Sequence, residues 1–230
     1  MFKQLFSTIK LHKQTPLGIL LCEVFAFLLG VGLVFLVLTT DTTTDSQITM
    51  GAIFALAALF IYCCVSAFTY VQEFNLAISM GRTRREFLII YAMEQLLYVA
   101  ASYALLLILT LLEDRLYGTM FPWAHSEFSL LSMLLDWRLA LGVIPGVVIV
   151  MMFLGAMHCR FGKTFAVIAY FVWLACCMSL PHIASLFEAG HPAVIWILRI
   201  PAAGWVGIGV AAAALMTAVT IRLSMKQQVR

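Results

Sequence analysis

Q-E-F-N-L-A-I-S-M-G-R-T-R-R-E-F, residues 72–87, is a short basic segment pinned between two long apolar runs, Met50–Val71 and Phe87–Leu111. Each run is long enough to cross a bilayer, whose apolar core of roughly 30 Å needs about 20 helical residues. A connection so short and so positive belongs on the cytoplasmic side. At about 100° per residue, Val71, Phe74 and Ile78 form one stripe, while Glu73, Leu76 and Met80 form another. The segment therefore predicts a small helix lying parallel to the membrane, one stripe against the bundle or lipid and one toward the cytoplasm. Gly81 is the expected helix stop. Thr83-Arg84-Arg85-Glu86 reads as a capping box that starts the next span. The plainer alternative is a cytoplasmic loop whose arginines only set topology.

Composition agrees with a membrane protein. The chain of 230 residues is 63% hydrophobic and only 11% charged, far from the usage of a soluble domain. Six spans follow from hydropathy: about 17–38, 50–71, 87–111, 139–157, 165–180 and 202–221. The first is too long for a signal-peptide core and lacks a small-residue cleavage site, so it is expected to remain as an anchor. No repeat or soluble domain interrupts the series, which predicts a single transmembrane domain over 1–230. Lys3, Lys10 and Lys13, then Arg82, Arg84 and Arg85, then Arg160 and Lys163, then Arg222, Lys226 and Arg230 fall on one side. The other side keeps Arg115, Arg138 and Arg199 with most of the acids, including Asp41, Asp45, Glu113, Asp114, Glu127, Asp136 and Glu188. The positive-inside rule then places both termini in the cytoplasm, consistent with an even span count. Because the basic residues sit in short inter-span segments and not on one face, nucleic acid is not an expected partner. The six cysteines lie in apolar runs or at their edges, and packing thiols are expected in place of a disulfide framework.

Further features lie outside the central segment. Phe2, Leu5, Phe6 and Ile9 recur at helical spacing opposite Lys3, Gln4, Ser7 and Lys10, the pattern of an interfacial amphipathic helix over 1–13. After the short fifth span, Pro181, His182, Gly190-His191-Pro192, the apolar stretch Ala193–Leu198 and Arg199 precede Pro201. An apolar stretch too short to cross, held between breakers, predicts a re-entrant or interfacial outer segment. Glu23 and Glu94 are acids inside spans, expected either to reach the inner interface or to line a polar entrance. His182 and His191 have no accompanying ligand cluster, so no metal site is predicted. Gly162-Lys163-Thr164 is no P-loop, because Met157 stands where the first glycine is required and membrane spans flank the loop. No paired catalytic groups or protease signatures are present, so catalysis in this chain is not expected.

With these residues in place, the chain resembles a small permease subunit of the ATP-binding-cassette type-2 exporter family, in its six-span Gram-positive form. The resemblance is carried by Phe2–Lys13, by F-N-L-A-I-S-M-G-R-T-R-R-E-F at 74–87, and by Pro181–Pro201. The middle segment is similar to the S-M-G-x-T-R-x-x-F opening of the third span in many such permeases. The resemblance implies an all-α membrane protein: six transmembrane helices, an amphipathic elbow helix over 1–13, an in-plane coupling helix between spans two and three, and a re-entrant outer segment between spans five and six. It implies that Glu73, Phe74, Asn75, Leu76, Ile78 and Met80 contact an ATP-hydrolysing subunit, with Arg82, Arg84 and Arg85 nearby. It further implies two copies of that ATPase, which bind the ATP and Mg, a second permease subunit (identical or homologous), and a bacterial plasma-membrane location with an outer gate at Pro181, His182, His191 and Arg199. The expected cargo is an amphipathic or hydrophobic peptide, antibiotic or drug-like molecule. The alternative is a stand-alone membrane immunity or sensor protein that binds a toxin or another membrane protein.

Overall fold

The computed structural model describes residues 14–40, 46–47, 50–120, 125–126, 130–162, 164–165, 167–172, 174–175, 178–179 and 201–226. The expected elbow helix (1–13) and the outer residues Pro181, His182, His191 and Arg199 lie outside them. The described elements are, in order, α1 (Gln14–Thr40), β1 (Ser46–Gln47), α2 (Met50–Ser79), α3 (Arg84–Met120), β2 (His125–Ser126), α4 (Leu130–Leu134), α5 (Trp137–Phe161) and α6 (Ala202–Lys226). The strands are a two-residue parallel pairing, Ser46 with His125 and Gln47 with Ser126. Everything else of regular structure here is helical.

Five of these helices are long and apolar enough to cross a membrane: the Leu17–Val37 part of α1, then α2, α3, α5 and the Gly204–Lys226 part of α6. They correspond to the first, second, third, fourth and sixth expected spans. The fifth, 165–180, is helical at 164–165, 167–172, 174–175 and 178–179 and otherwise lies outside the described residues.

Two boundaries differ from expectation. No separate in-plane helix follows the second span, because α2 continues without a break from Met50 to Ser79. Nothing in Tyr70–Phe74 interrupts a helix: there is no proline or glycine, and Glu73, Asn75 and Ser79 are tolerated in a turn already propagating. At about 1.5 Å per residue, α2 is about 45 Å long, against an apolar core of roughly 30 Å. It stops where the sequence says it must. Gly81 adopts φ 78°, its N–H bonds to the Ile78 carbonyl at 3.0 Å, and the Arg82 N–H bonds to Ala77 at 3.1 Å. That is the Schellman pattern, which satisfies the terminal carbonyls and needs a residue without a Cβ at the left-handed position. The second difference is α3, which runs nine residues past the expected Leu111, to Met120. At about 55 Å it exceeds the bilayer core and its headgroup layers together.

The chain divides into two compact units. The first comprises 1–66 and 85–151. Its core gathers Phe27, Ala55, Tyr103, Leu106, Leu109 and Leu134. On α1 the buried stripe is Glu23, Phe27, Gly30 and Val34, whereas Leu17, Leu21, Phe25, Leu28, Leu29, Leu33 and Leu36 point outward. Such an outward apolar face is what lipid contact requires. Gly30 and Gly51 let α1 and α2 meet backbone to backbone: a Cβ on Gly30 would lie 2.6 Å from the Met50 oxygen and 2.8 Å from the Gly51 Cα. Small residues at a crossing are the usual means of close helix approach in a membrane. Asp136 caps α5, its Oδ1 accepting the Arg138 N–H at 3.0 Å. Tyr103 donates to the Leu134 carbonyl at 2.8 Å and so satisfies the end of α4.

The second unit comprises 67–84 and 152–230. Tyr70 is fully buried at its centre. Its ring lies against Gly155, where a Cβ would come within 2.6 Å of the ring, and its hydroxyl pairs with the Ser224 hydroxyl at 3.0 Å. Phe74 stacks on Tyr70 at 6.2 Å between ring centroids, and His158 meets Phe68 edge-on at 5.0 Å. Gly162 (φ 61°) ends α5 with a 2.7 Å bond from its N–H to the His158 carbonyl, the αL form of the same terminator.

Candidate functional site

Two sets of side chains stand out, one in each unit. In the second unit, the end of α2 has an inner and an outer face. Phe74 and Ala77 are buried, while Leu76 and Met80 are 48% and 58% exposed. Glu73, Asn75 and Ile78 are half-buried between those faces. The Schellman turn gives way to Arg84, whose guanidinium donates to the Met225 carbonyl near the end of α6. A cation at a helix C-terminus both bonds an orphan carbonyl and complements the helix dipole. Arg82 is half-buried and Arg85 exposed. The residues 73–84 expected to meet a partner thus share one helix end and the turn that closes it. It is anchored inward by Tyr70, Gly155 and Ser224 and presents two exposed hydrophobic side chains outward.

In the first unit, α3 carries a polar stripe through the middle of its apolar length. Tyr91, Glu94, Gln95, Tyr98 and Ser102 follow one another at helical spacing. Tyr62 and Ser66 of α2 answer from opposite. Tyr62 donates to the Gln95 Oε1 at 2.8 Å, Ser66 donates to the same oxygen at 3.1 Å, and the Ser66 and Tyr91 hydroxyls are 3.0 Å apart. Tyr98 donates to Glu94 at 3.0 Å. In a water-free interior such groups must satisfy one another, and each bond is worth about 0.6–2 kcal/mol. Glu23 and Glu94 are 1% and 5% exposed, so both turn into the unit instead of reaching out to the interface.

The two carboxylates differ in one respect. Glu94 accepts a hydrogen bond, whereas neither oxygen of Glu23 has a hydrogen-bond partner among the described residues. The Ser102 hydroxyl lies beside Glu23 without closing a bond of ordinary geometry.

A third carboxylate was not anticipated in this role. Glu113 was expected in an outer connection, yet it lies within α3 and is 1% exposed. Its two oxygens accept the Gly51 and Ala52 N–H groups at 2.9 and 2.8 Å. It therefore caps α2 from the neighbouring helix, a task normally given to a residue just before the helix. Only one signal could have exposed it, its place on the stripe that continues from Ser102 through Leu106 and Thr110. Glycine at 51 belongs to the arrangement, since a Cβ there would press 2.6 Å from Val31 Cγ2 and 3.0 Å from Glu113 Oε1.

Among the described residues no cluster of three or more His, Cys, Asp or Glu could hold a metal ion. Cys22, Cys63, Cys64 and Cys159 are free thiols. Comparisons with protein-family profiles, with characterised proteins and with solved structures find no match to this chain.

Proposed function

We propose that this chain is the transmembrane subunit of an ATP-driven exporter of the ATP-binding-cassette type, coupled at the end of α2 to a separate ATPase that binds the ATP and Mg. The observation that carries this reading is the unbroken course of α2 past the span into a capped, two-faced tip, with Leu76 and Met80 exposed and Phe74 buried behind them. A continuous helix transmits a displacement along its whole length, which a loop cannot do. Two such subunits with two ATPases would form the working complex in a bacterial plasma membrane, both termini in the cytoplasm. ATP binding draws the ATPases together and moves the α2 tip, and α2 and α3 tilt with it because only 80–83 join them. The tip differs from the in-plane helix of the resembling permeases in continuing the helix of the span without a break.

The decisive experiment is gentle purification of the tagged full-length chain from its native membrane, with mass spectrometry of stoichiometric partners. A soluble ATPase near one copy per chain supports the exporter. Recovery of the chain alone, or only with other membrane proteins, overturns it and favours an immunity or sensor protein. Leu76→Asp places a charge on the exposed side of the tip. It is expected to abolish stimulation of the ATPase while membrane insertion and elution stay unchanged.

A further inference from the structure

Positive charge is unevenly shared between the two units. The second holds eight lysines and arginines against two acids, and the first holds six against nine. Pairing within the second unit therefore leaves at least six cations over, wherever its two acids sit. Three of its cations meet at the end of α6. Arg222 and Lys226 are exposed one turn apart, and the Arg84 guanidinium donates to the carbonyl of Met225 between them in the chain. Like charges gathered at one helix end repel one another unless an anion is shared among them. The dipole of α6 offsets about half a charge, and Glu86 in the first turn of α3 offsets one at most. Positive charge remains.

The face of α6 that leads to these cations restricts what the anion can be. Where α1 presents leucine and phenylalanine outward, α6 presents Gly207, Ala211, Ala214 and Ala218, all exposed at spacings of three and four residues. Ile208 and Leu215 flank that line on one side and Val210 and Ile221 on the other, and all four are exposed. The result is a shallow apolar trough, about 17 Å from Gly207 to Ala218 at 1.5 Å per residue. One leaflet of the apolar core is roughly 15 Å deep. Arg222 stands one turn beyond the end of the trough. Small residues in a membrane often admit a second helix. A second copy is disfavoured here by charge, because copies share one membrane orientation and a two-fold pair would set Arg222 and Lys226 against their own counterparts. An acyl chain fits the trough, and a phosphate at its head meets the cations.

We propose that the end of α6 binds an anionic phospholipid, its phosphate held by Arg222 and Lys226 with Arg84 beside them and an acyl chain lying along Gly207 to Ala218. Basic residues at helix ends attract acidic headgroups at the membrane surface, each cation being worth about fivefold in affinity. The exposed Ile221 and Met225 alternate with the two cations on the last turns, which matches an amphiphile and not a soluble anion. The binding requires only this chain and does not depend on the exporter reading.

The test is native mass spectrometry of the purified full-length chain, delipidated in mild detergent and titrated with phosphatidylglycerol or with phosphatidylcholine of the same acyl chains. The first phosphatidylglycerol is expected to bind about tenfold more tightly than phosphatidylcholine, or better. The double variant Arg222→Gln/Lys226→Gln is expected to weaken that binding about thirtyfold, about fivefold for each charge. Arg85→Gln/Arg160→Gln removes as much exposed charge elsewhere and is expected to stay within about threefold. Ala214→Leu/Ala218→Leu fills the trough and is expected to weaken phosphatidylglycerol binding with every cation in place. Equal affinity for the two lipids overturns the proposal without reference to any variant. So does unchanged binding in the Arg222/Lys226 or the Ala214/Ala218 variant, or an equal loss in both charge variants. Inorganic phosphate competing as well as the lipid reduces the site to one for free anions and overturns the lipid assignment. A lipid-free pair of chains that Ala214→Leu/Ala218→Leu splits overturns it in favour of a second copy on this face.

Discussion

Removing the carboxylate of Glu113 should unwind the start of α2 and destabilise the first unit. The structure supplies the magnitude. Both oxygens are engaged, by Gly51 and Ala52 at 2.9 and 2.8 Å, and the group is buried, so no water replaces it. Hydrogen bonds to a charged acceptor contribute about 1.5–3 kcal/mol each, and an ordinary cap about 0.5–2 kcal/mol. Two bonds sharing one carboxylate do not add fully, so Glu113→Ala is expected to cost about 3 kcal/mol. Glu113→Gln keeps one acceptor oxygen but turns an amide N–H₂ toward a backbone donor, and about half of that loss is expected. Asp114→Ala, one residue on and exposed, should remain within about 0.5 kcal/mol.

The assay is reversible unfolding of the purified chain in mixed micelles on titration with a denaturing detergent, paired with hydrogen exchange at residues 51–54. Faster exchange confined to that turn, together with the graded order Ala, Gln, wild type, is the expected result. Equal stability of Glu113→Ala and Asp114→Ala would refute the cap. Destabilisation without faster exchange at 51–54 would refute the reasoning in a different way, by placing the loss in side-chain packing.

The second unit supports two further expectations. Gly155→Val drives a branched side chain into the Tyr70 ring, whose nearest atoms already lie 2.6 Å from where a Cβ would be; a loss of about 1–3 kcal/mol in the same unfolding assay is expected. Tyr70→Phe and Ser224→Ala each remove the 3.0 Å hydroxyl pair, so each is expected to cost about 0.6–2 kcal/mol, and the double variant no more than the worse single one.

Much of the helical order was legible because lipid contact writes long apolar runs into a sequence, and Gly81 was legible because a left-handed terminator needs glycine. The continuity of α2 was not. Glu73, Asn75 and Ser79 mark the end of hydrophobicity, which is not the end of the helix. A helix continues for as long as its backbone bonds can form, and nothing between Val71 and Ser79 prevents them. The length of α3 was hidden in the same way: Glu113, Asp114 and Arg115 look like the close of a span, but Glu113 and Arg115 are good helix residues, Asp114 is tolerated between them, and the helix runs through all three. Glu23 and Glu94 were visible as acids at membrane depth, whereas the groups opposite them depend on a helix pairing that spacing alone does not reveal.

The three buried carboxylates then sort by what faces them. Glu113 meets backbone donors at a helix start, where a fixed negative charge is matched by the helix dipole, and its purpose is complete within the fold. Glu94 meets a tyrosine hydroxyl and belongs to the hydrogen-bonded stripe of α3. Glu23 has the burial of the first and, among the described residues, the hydrogen bonds of neither. A polar side chain that served only the fold could be exchanged for leucine at a gain, since a well-packed apolar residue carries no desolvation cost. Glu23 is therefore the carboxylate that the described packing explains least, and Glu23→Leu is expected to leave stability unchanged or raise it in the unfolding assay if the side chain serves only the fold.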